Sequence, residues 1–328
     1  MRIIDFHNHF YPTAYLDALR SGSSAVQVTI DEQGNPRIYY PGDYNVAVPG
    51  HRDIDYREQV LIEHGVDTQV ITLTTPGTHV ETPSRAAELA SLVNDEFREA
   101  MDTRGRHFTA LATLPLNDPA ASVRELVRAC RELRMPGAML FSNVNGAALS
   151  DKRYWPLYEA ANDLGAVLYI HPTHPVGVEA MQEYWLMPLV GFLFDTTLAA
   201  ASLVFAGVPE RFPRIRWALC HLGGAIPYLA ERLDRGFDAF RDCRANIQRP
   251  PSTYLKEFYF DTVNFNQGAL QLAITFAGAD HILAGSDYPH KIGSIPSMLE
   301  AIGKLPVTDE ERAGILGGNA ARLLGLAG

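Results

Sequence analysis

Eight short runs of β-forming, largely apolar residues recur along this chain, and most are followed by a stretch with helical spacing. The runs fall at 2–10, 68–73, 108–114, 137–141, 166–170, 215–220, 258–262 and 281–285. Helical stretches lie near 84–103, 119–133, 155–164, 188–208, 227–241 and 267–276, with two more at 295–303 and 309–324. A helix between two strands carries the chain back to its starting edge, so successive strands run parallel. Eight such units in one chain predict a closed (β/α)8 barrel, the TIM barrel, rather than an open α/β sheet. No segment resembles the next, which excludes a solenoid. The 328 residues lie within the length such barrels reach, so 1–328 is expected to be one domain.

The alternation breaks once. Residues 11–67 form a small insertion after strand 1, part of the same domain. Within it, 26–30 and 37–40 are rich in β-formers and flank Gly34-Asn35-Pro36, which predicts a hairpin. A helix at 56–64 is expected to stop at Gly65. Insertions of this length in compact folds often act as lids or binding loops.

Composition removes several function classes. Hydrophobic residues make up 47% and charged residues 20%, as in ordinary soluble enzymes. A net charge of −10 with no basic stripe excludes a nucleic-acid partner. Cys130, Cys220 and Cys243 are odd in number and lack a Cys-x-x-Cys pair, so no disulfide framework is expected. That usage fits a reducing cytoplasm. No apolar leader precedes strand 1, and no uninterrupted apolar run of about 18 residues or more predicts a membrane span.

Barrel active sites sit at the C-terminal ends of the strands. Strand 1 ends in His7 and His9, strand 5 in His171 and strand 6 in His221, while strand 8 runs into Asp287. In an extended chain residues i and i+2 share a face, so His7 and His9 are neighbours. Taken singly, each has an ordinary reading as a strand end, a tight-turn residue or a turn aspartate. Five on one rim, in a chain with eleven histidines, point to a site. Three imidazoles and a carboxylate with one open position suit catalytic Zn²⁺, with Mn²⁺ or another divalent metal as the alternative. A histidine outside the ligand set has a pKa suited to a general base, and His221 is the candidate. His174 and His290 share the rim as candidates for further contacts. His51, His79, His107 and His281 are expected to be surface or structural.

These stretches resemble the amidohydrolase superfamily. The resemblance is carried by His7-Asn8-His9, His171-Pro172, Cys220-His221-Leu222-Gly223-Gly224-Ala225-Ile226-Pro227 and Gly285-Ser286-Asp287-Tyr288-Pro289. The chain is most similar to the branch of metal-dependent decarboxylases typified by 2-amino-3-carboxymuconate-6-semialdehyde decarboxylase. Tyr184-Trp185-Leu186-Met187-Pro188, Arg249-Pro250-Pro251-Ser252 and Asn264-Phe265-Asn266-Gln267-Gly268 extend the similarity over nearly the whole length. The resemblance implies that His7, His9, His171 and Asp287 hold the metal and that His221 is the acid/base residue. It also places Arg57 where the family keeps an arginine for the substrate carboxylate, and Trp185 at a pocket tryptophan. Arg232 matches an arginine that reaches the neighbouring subunit's site, which implies a homodimer. Two departures stand out. Leu222-Gly223-Gly224 replaces a run of three glycines, and His290 stands where an aromatic residue is usual. A second substrate arginine has no clear counterpart, although Arg52 is nearby.

The expected function is zinc-dependent decarboxylation of an unsaturated or aromatic carboxylic acid, with Asp287 as both ligand and proton relay. A 2-amino-3-carboxymuconate-6-semialdehyde type of small-molecule carboxylate leads. A hydroxybenzoate decarboxylase, or a hydrolase of a lactone or amide, is the alternative, since fold alone does not separate them.

Overall fold

A computed structural model of the chain describes residues 2–21, 25–40 and 43–326. The remaining positions of 1–328, including 22–24 and 41–42 of the insertion, lie outside the described residues. Eight parallel strands form: β1 (Ile4–His9), β2 (Thr68–Thr72), β3 (Phe108–Ala110), β4 (Gly137–Phe141), β5 (Val167–His171), β6 (Arg216–Leu219), β7 (Tyr259–Asp261) and β8 (Ile282–Leu283). One ladder joins β1, β2 and β3, and a second joins β4 to β8 in chain order. Backbone hydrogen bonds connect the two ladders at both edges. Ala112 N donates to Gly137 O at 3.0 Å and Met139 N to Ala112 O at 2.9 Å. On the other side Phe6 N donates to Ala284 O at 2.7 Å and His9 N to Tyr288 O at 2.9 Å. The ring is thereby closed, and the predicted TIM barrel is the fold.

Local sequence explains where the outer helices begin. Asp118, Asn266 and Ser294 each accept a backbone N–H from the first turn of the helix that follows. Such caps satisfy donors that the helix itself leaves unpaired. The predicted helix that was expected to stop at Gly65 spans Ile54–His64, capped at its start by Asp53. The stretch predicted at 188–208 is less regular. It opens with a π-helical turn, Met187–Gly191, continues as Phe192–Phe205, and restarts after Gly207 as Val208–Arg211. By length and mean hydropathy of 1.6, Met187–Phe205 is apolar enough to cross a membrane. Its middle carries buried Asp195, however, which accepts hydrogen bonds from Ser142 and from Asn143 Nδ2 at 2.8 Å. Those bonds anchor it to the loop after β4 as a barrel helix.

The insertion contains the predicted hairpin, Gln27–Ile30 against Pro36–Tyr40, plus a third antiparallel strand, Asp43–Val46. Half-polar Asp-Tyr-Asn-Val gives that third strand little periodic signal. The sheet is fastened to the barrel at Thr75, whose carbonyl accepts Tyr11 Oη at 2.5 Å and Asn45 Nδ2 at 2.9 Å.

One glycine sets how closely the strands under the site approach. A Cβ on Gly285 would lie 2.8 Å from His7 Cβ and 3.0 Å from Asp261 Cβ. β1, β7 and β8 therefore meet over a position without a side chain. Gly285→Ala is expected to destabilise the fold by about 1–3 kcal/mol through overpacking and to lower metal occupancy. Urea unfolding and elemental analysis measure both, and a variant with wild-type values would contradict this close contact.

Candidate metal centre

The register between β1 and β2 slips between Asp5 and Asn8, where β1 fits three steps against two of its neighbour. Such bulges re-aim side chains, and this one sits beside His7. His7 Nδ1 is 2.6 Å from Asp261 Oδ2 at the end of β7. A carboxylate accepts only, so the His7 proton lies on Nδ1 and the Nε2 lone pair points inward. That lone pair is 3.2 Å from His9 Nε2 and 3.4 Å from Asp287 Oδ1. Asp287 Oδ1 is also 3.1 Å from His9 Nε2. His171 donates from Nδ1 to Pro172 O at 2.8 Å, which leaves its Nε2 free. Its ring lies 5.3 Å from that of His7 and 4.7 Å from that of His9.

Ligand atoms of His7, His9 and His171 lie within 4.8 Å of one another, as do those of His7, His221 and Asp287. All five side chains are buried. Burial pulls the His9 and His171 pKa values well below the ordinary range, and neighbouring imidazoles add to it. Both rings are therefore neutral at pH 7 with lone pairs available. Burial also acts against a charge on His7, but the Asp261 carboxylate outweighs it and raises the pKa. Three nitrogens and one carboxylate oxygen, with His171 and Asp287 each grouped with His7 and His9, fit a divalent cation. Zinc and manganese both accept this donor set.

His221 stands beside this group, with its ring 4.8 Å from that of His7 and 5.8 Å from that of His171. Four successive residues, His221, Leu222, Gly223 and Gly224, have φ of 51°, 55°, 70° and 61°. Left-handed backbone is easy for glycine and costs roughly 1–3 kcal/mol at other residues. The two glycines therefore carry half of this turn, which folds His221 back over the rim. Asp287, at φ 58°, is held in the same way. Burial lowers the His221 pKa to about 4, so it too is neutral at pH 7.

Arg57 is placed differently from expectation. It is fully buried, and its guanidinium donates to Gly50 O at 2.9 Å, Asn8 Oδ1 at 2.7 Å and Gln69 Oε1 at 3.0 Å. It also donates to His9 O, and the rings of Phe10 and Tyr288 cover it at 5.3 and 5.1 Å. A guanidinium engaged in this way braces the end of β1 and does not present itself to a substrate carboxylate. Trp185 is 62% exposed, edge-on to Tyr44 of the insertion sheet at 6.3 Å. Arg232 is exposed on the helix Ile226–Ala239. Neither joins the histidine cluster in the single chain.

The sequence model of the amidohydrolase family matches residues 4–326. The chain belongs to the amidohydrolase family. It is 31% identical over 330 residues to 2-amino-3-carboxymuconate-6-semialdehyde decarboxylase of Dictyostelium discoideum, covering 98% of this chain and 91% of that one. This amidohydrolase also superposes on 5-carboxyvanillate decarboxylase from Sphingomonas paucimobilis, with a TM-score of 0.86, 26% identity and 99% of each chain covered. A dihydroxybenzoic acid decarboxylase from Polaromonas, with bound manganese and 2-nitroresorcinol, gives 0.83 at 26% identity, covering 99% of this chain and 97% of that one.

Sequence reasoning missed Asp261. It is a carboxylate at the end of a barrel strand, the same signal that drew attention to the histidines, but a lone aspartate after Tyr-Phe gives no spacing to notice. Asp261 also accepts Tyr169 Oη at 2.9 Å and Val263 N at 3.0 Å. Groups that orient a metal-binding histidine typically contribute 10–100-fold in affinity. Asp261→Asn is expected to weaken metal binding by about that factor, measured by competition with a chelator, while thermal unfolding reports on the fold. Unchanged affinity would mean that the bond does not orient His7.

Proposed function

We propose that this amidohydrolase is a divalent-metal-dependent, non-oxidative decarboxylase of an unsaturated or aromatic carboxylic acid. The observation that carries the reading is the convergence of His7, His9, His171 and Asp287, with neutral His221 at their edge. The relatives named above are decarboxylases, which supports that reaction over hydrolysis. His7, His9, His171 and Asp287 would hold the cation, zinc or manganese. When bound, the cation supplies electrostatic stabilisation to negative charge on substrate oxygens.

The chain's own residues handle the proton. Loss of CO₂ leaves the bonding electron pair on the carbon that carried the carboxylate, and that pair must take a proton. His221 is the base that draws a proton from water, Asp287, within 4.8 Å of it, relays that proton to the carbon, and the hydroxide left behind combines with the released CO₂ as bicarbonate. Burial keeps His221 neutral and ready to accept.

Two substrate classes follow from the relatives. The 2-amino-3-carboxymuconate-6-semialdehyde type leads on sequence, and the hydroxybenzoate type is supported by the solved structures. CO₂ release from both, beside hydrolysis of a lactone and an amide, tests the reaction class. Decarboxylation of one class and no hydrolysis is expected. Removing metal with a chelator should abolish turnover, and zinc or manganese should restore it. His221→Asn is expected to keep its metal while kcat falls by roughly 10²–10⁴-fold. Loss of metal from that variant would instead make His221 a ligand.

We further propose a homodimer in which Arg232 reaches the partner's site. Trp185, Leu189, Phe194, Leu198 and Tyr228 are exposed by 49–78% around the helix after Met187 and the start of the Arg232 helix. Exposed apolar groups clustered in this way mark association surfaces. Light scattering should give twice the chain mass, and Phe194→Glu should give single chains with little activity. A fully active monomer would refute the shared site.

A further inference from the structure

A buried polar ring without a partner marks a place where something else is meant to sit. His51 is 2% exposed, yet neither Nδ1 nor Nε2 has a hydrogen-bond partner among the described residues. The backbone fixes it firmly. His51 N donates to Val48 O at 2.8 Å, and its carbonyl accepts Tyr11 N at 2.6 Å. Its ring lies 5.0 Å from that of His290, and His290 lies 4.7 Å from His9. A ligand atom of His290 comes within 4.8 Å of those of His9 and Asp287. The line His51–His290–His9 thus runs from the insertion to the edge of the metal centre, whereas His221 adjoins His7. Arg57, the side chain expected to hold an anionic substituent, is committed to β1.

We infer that His51 and His290 receive an oxygen substituent of the substrate, a hydroxyl or carboxylate oxygen next to the reacting carbon. Each imidazole offers an N–H donor in either tautomer and, when neutral, an acceptor nitrogen. Two rings side by side match a pair of oxygens on adjacent positions of an unsaturated or aromatic acid. The nitrogens of His51, unpaired in the protein, gain a partner when such a group arrives. His290 then acts as a specificity residue and not as a metal ligand. This inference rests on the decarboxylase reading of the same site.

Calorimetric titration of the metal-loaded protein with 2,6-dihydroxybenzoate and with benzoate tests it. His51→Phe and His290→Phe are each expected to weaken 2,6-dihydroxybenzoate binding at least tenfold, with metal content and melting temperature unchanged. His51→Gln, which keeps a donor, should recover most of the affinity. Weakening for 2,6-dihydroxybenzoate alone assigns the pair to hydroxyl oxygens, and weakening for both ligands assigns it to the carboxylate. Wild-type affinity in both Phe variants overturns the inference and leaves the decarboxylase reading intact. Metal loss from His290→Phe, or a loss of affinity at His51 that Gln does not rescue, also overturns it. A wild-type protein that binds neither acid also overturns the inference, and CO₂ release from a muconate-semialdehyde acid then decides the decarboxylase reading separately.

Discussion

The hydrogen bond between His7 Nδ1 and Asp261, 2.6 Å long and wholly buried, decides what the centre of this barrel can do. It fixes the His7 tautomer, and so leaves the Nε2 lone pair of a central imidazole facing the cluster. It also settles the cost of burying Asp261. Burial works against that carboxylate's charge, but His7 beside it holds the pKa below the usual range. A buried charge with a close, hydrogen-bonded partner is tolerable where an isolated one is not. Tyr169 and Val263 share the same carboxylate, so β1, β5 and β7 converge on one group. A metal centre needs its ligands fixed to within a few tenths of an ångström, and this convergence provides that.

A second buried polar set holds the other side of β1. Asp5 accepts Ser286 Oγ at 2.6 Å, Ser286 N at 3.0 Å and Gln69 Nε2 at 2.7 Å. Burial pushes the Asp5 pKa up to about 6, while those three bonds favour the charged form. Ser286 immediately precedes Asp287, so Asp5 sets the backbone from which the candidate metal-binding carboxylate hangs. Gln69 carries the network on to Arg57, and Arg57 reaches Asn8 and His9. An apolar core of equal volume would pack as densely but would not define these directions. Directional hydrogen bonds do.

These two sets explain which features the sequence could reveal. Strand and helix alternation is a local property, and β4 and the helices Trp155–Leu164 and Ile295–Gly303 end where the pattern predicts. The five rim residues were legible because strand ends share one face of a barrel, so position along the chain translates into position in space. Asp261 obeys the same rule but lacks a motif around it. His51 was not legible at all, because its place depends on how the insertion folds back onto the rim. Arg57 was misread for a related reason. The resemblance places it where the family keeps a substrate arginine, but its burial beneath Tyr288 and Phe10 is a tertiary fact. Sequence spacing carries type and order, and it does not carry which end of a long side chain meets solvent.

The position of Arg57 also limits how the insertion can behave. Residues 11–67 have the length of a lid, yet the helix Ile54–His64 delivers a guanidinium that makes four hydrogen bonds, three of them to β1 and β2. Burial lowers its pKa only to about 10, so it stays charged at pH 7. Swinging that helix outward would strip a buried charge of its partners, which costs several kcal/mol. It would also release the carbonyl of His9 and the side chain of Asn8. The inner half of the insertion is therefore part of the barrel's own structure. Its outer sheet meets the segment after β5 through the edge contact of Tyr44 with Trp185. The barrel fixes the candidate metal-binding atoms, and the insertion, braced at one end by Arg57, brings His51 against His290 from outside the strands.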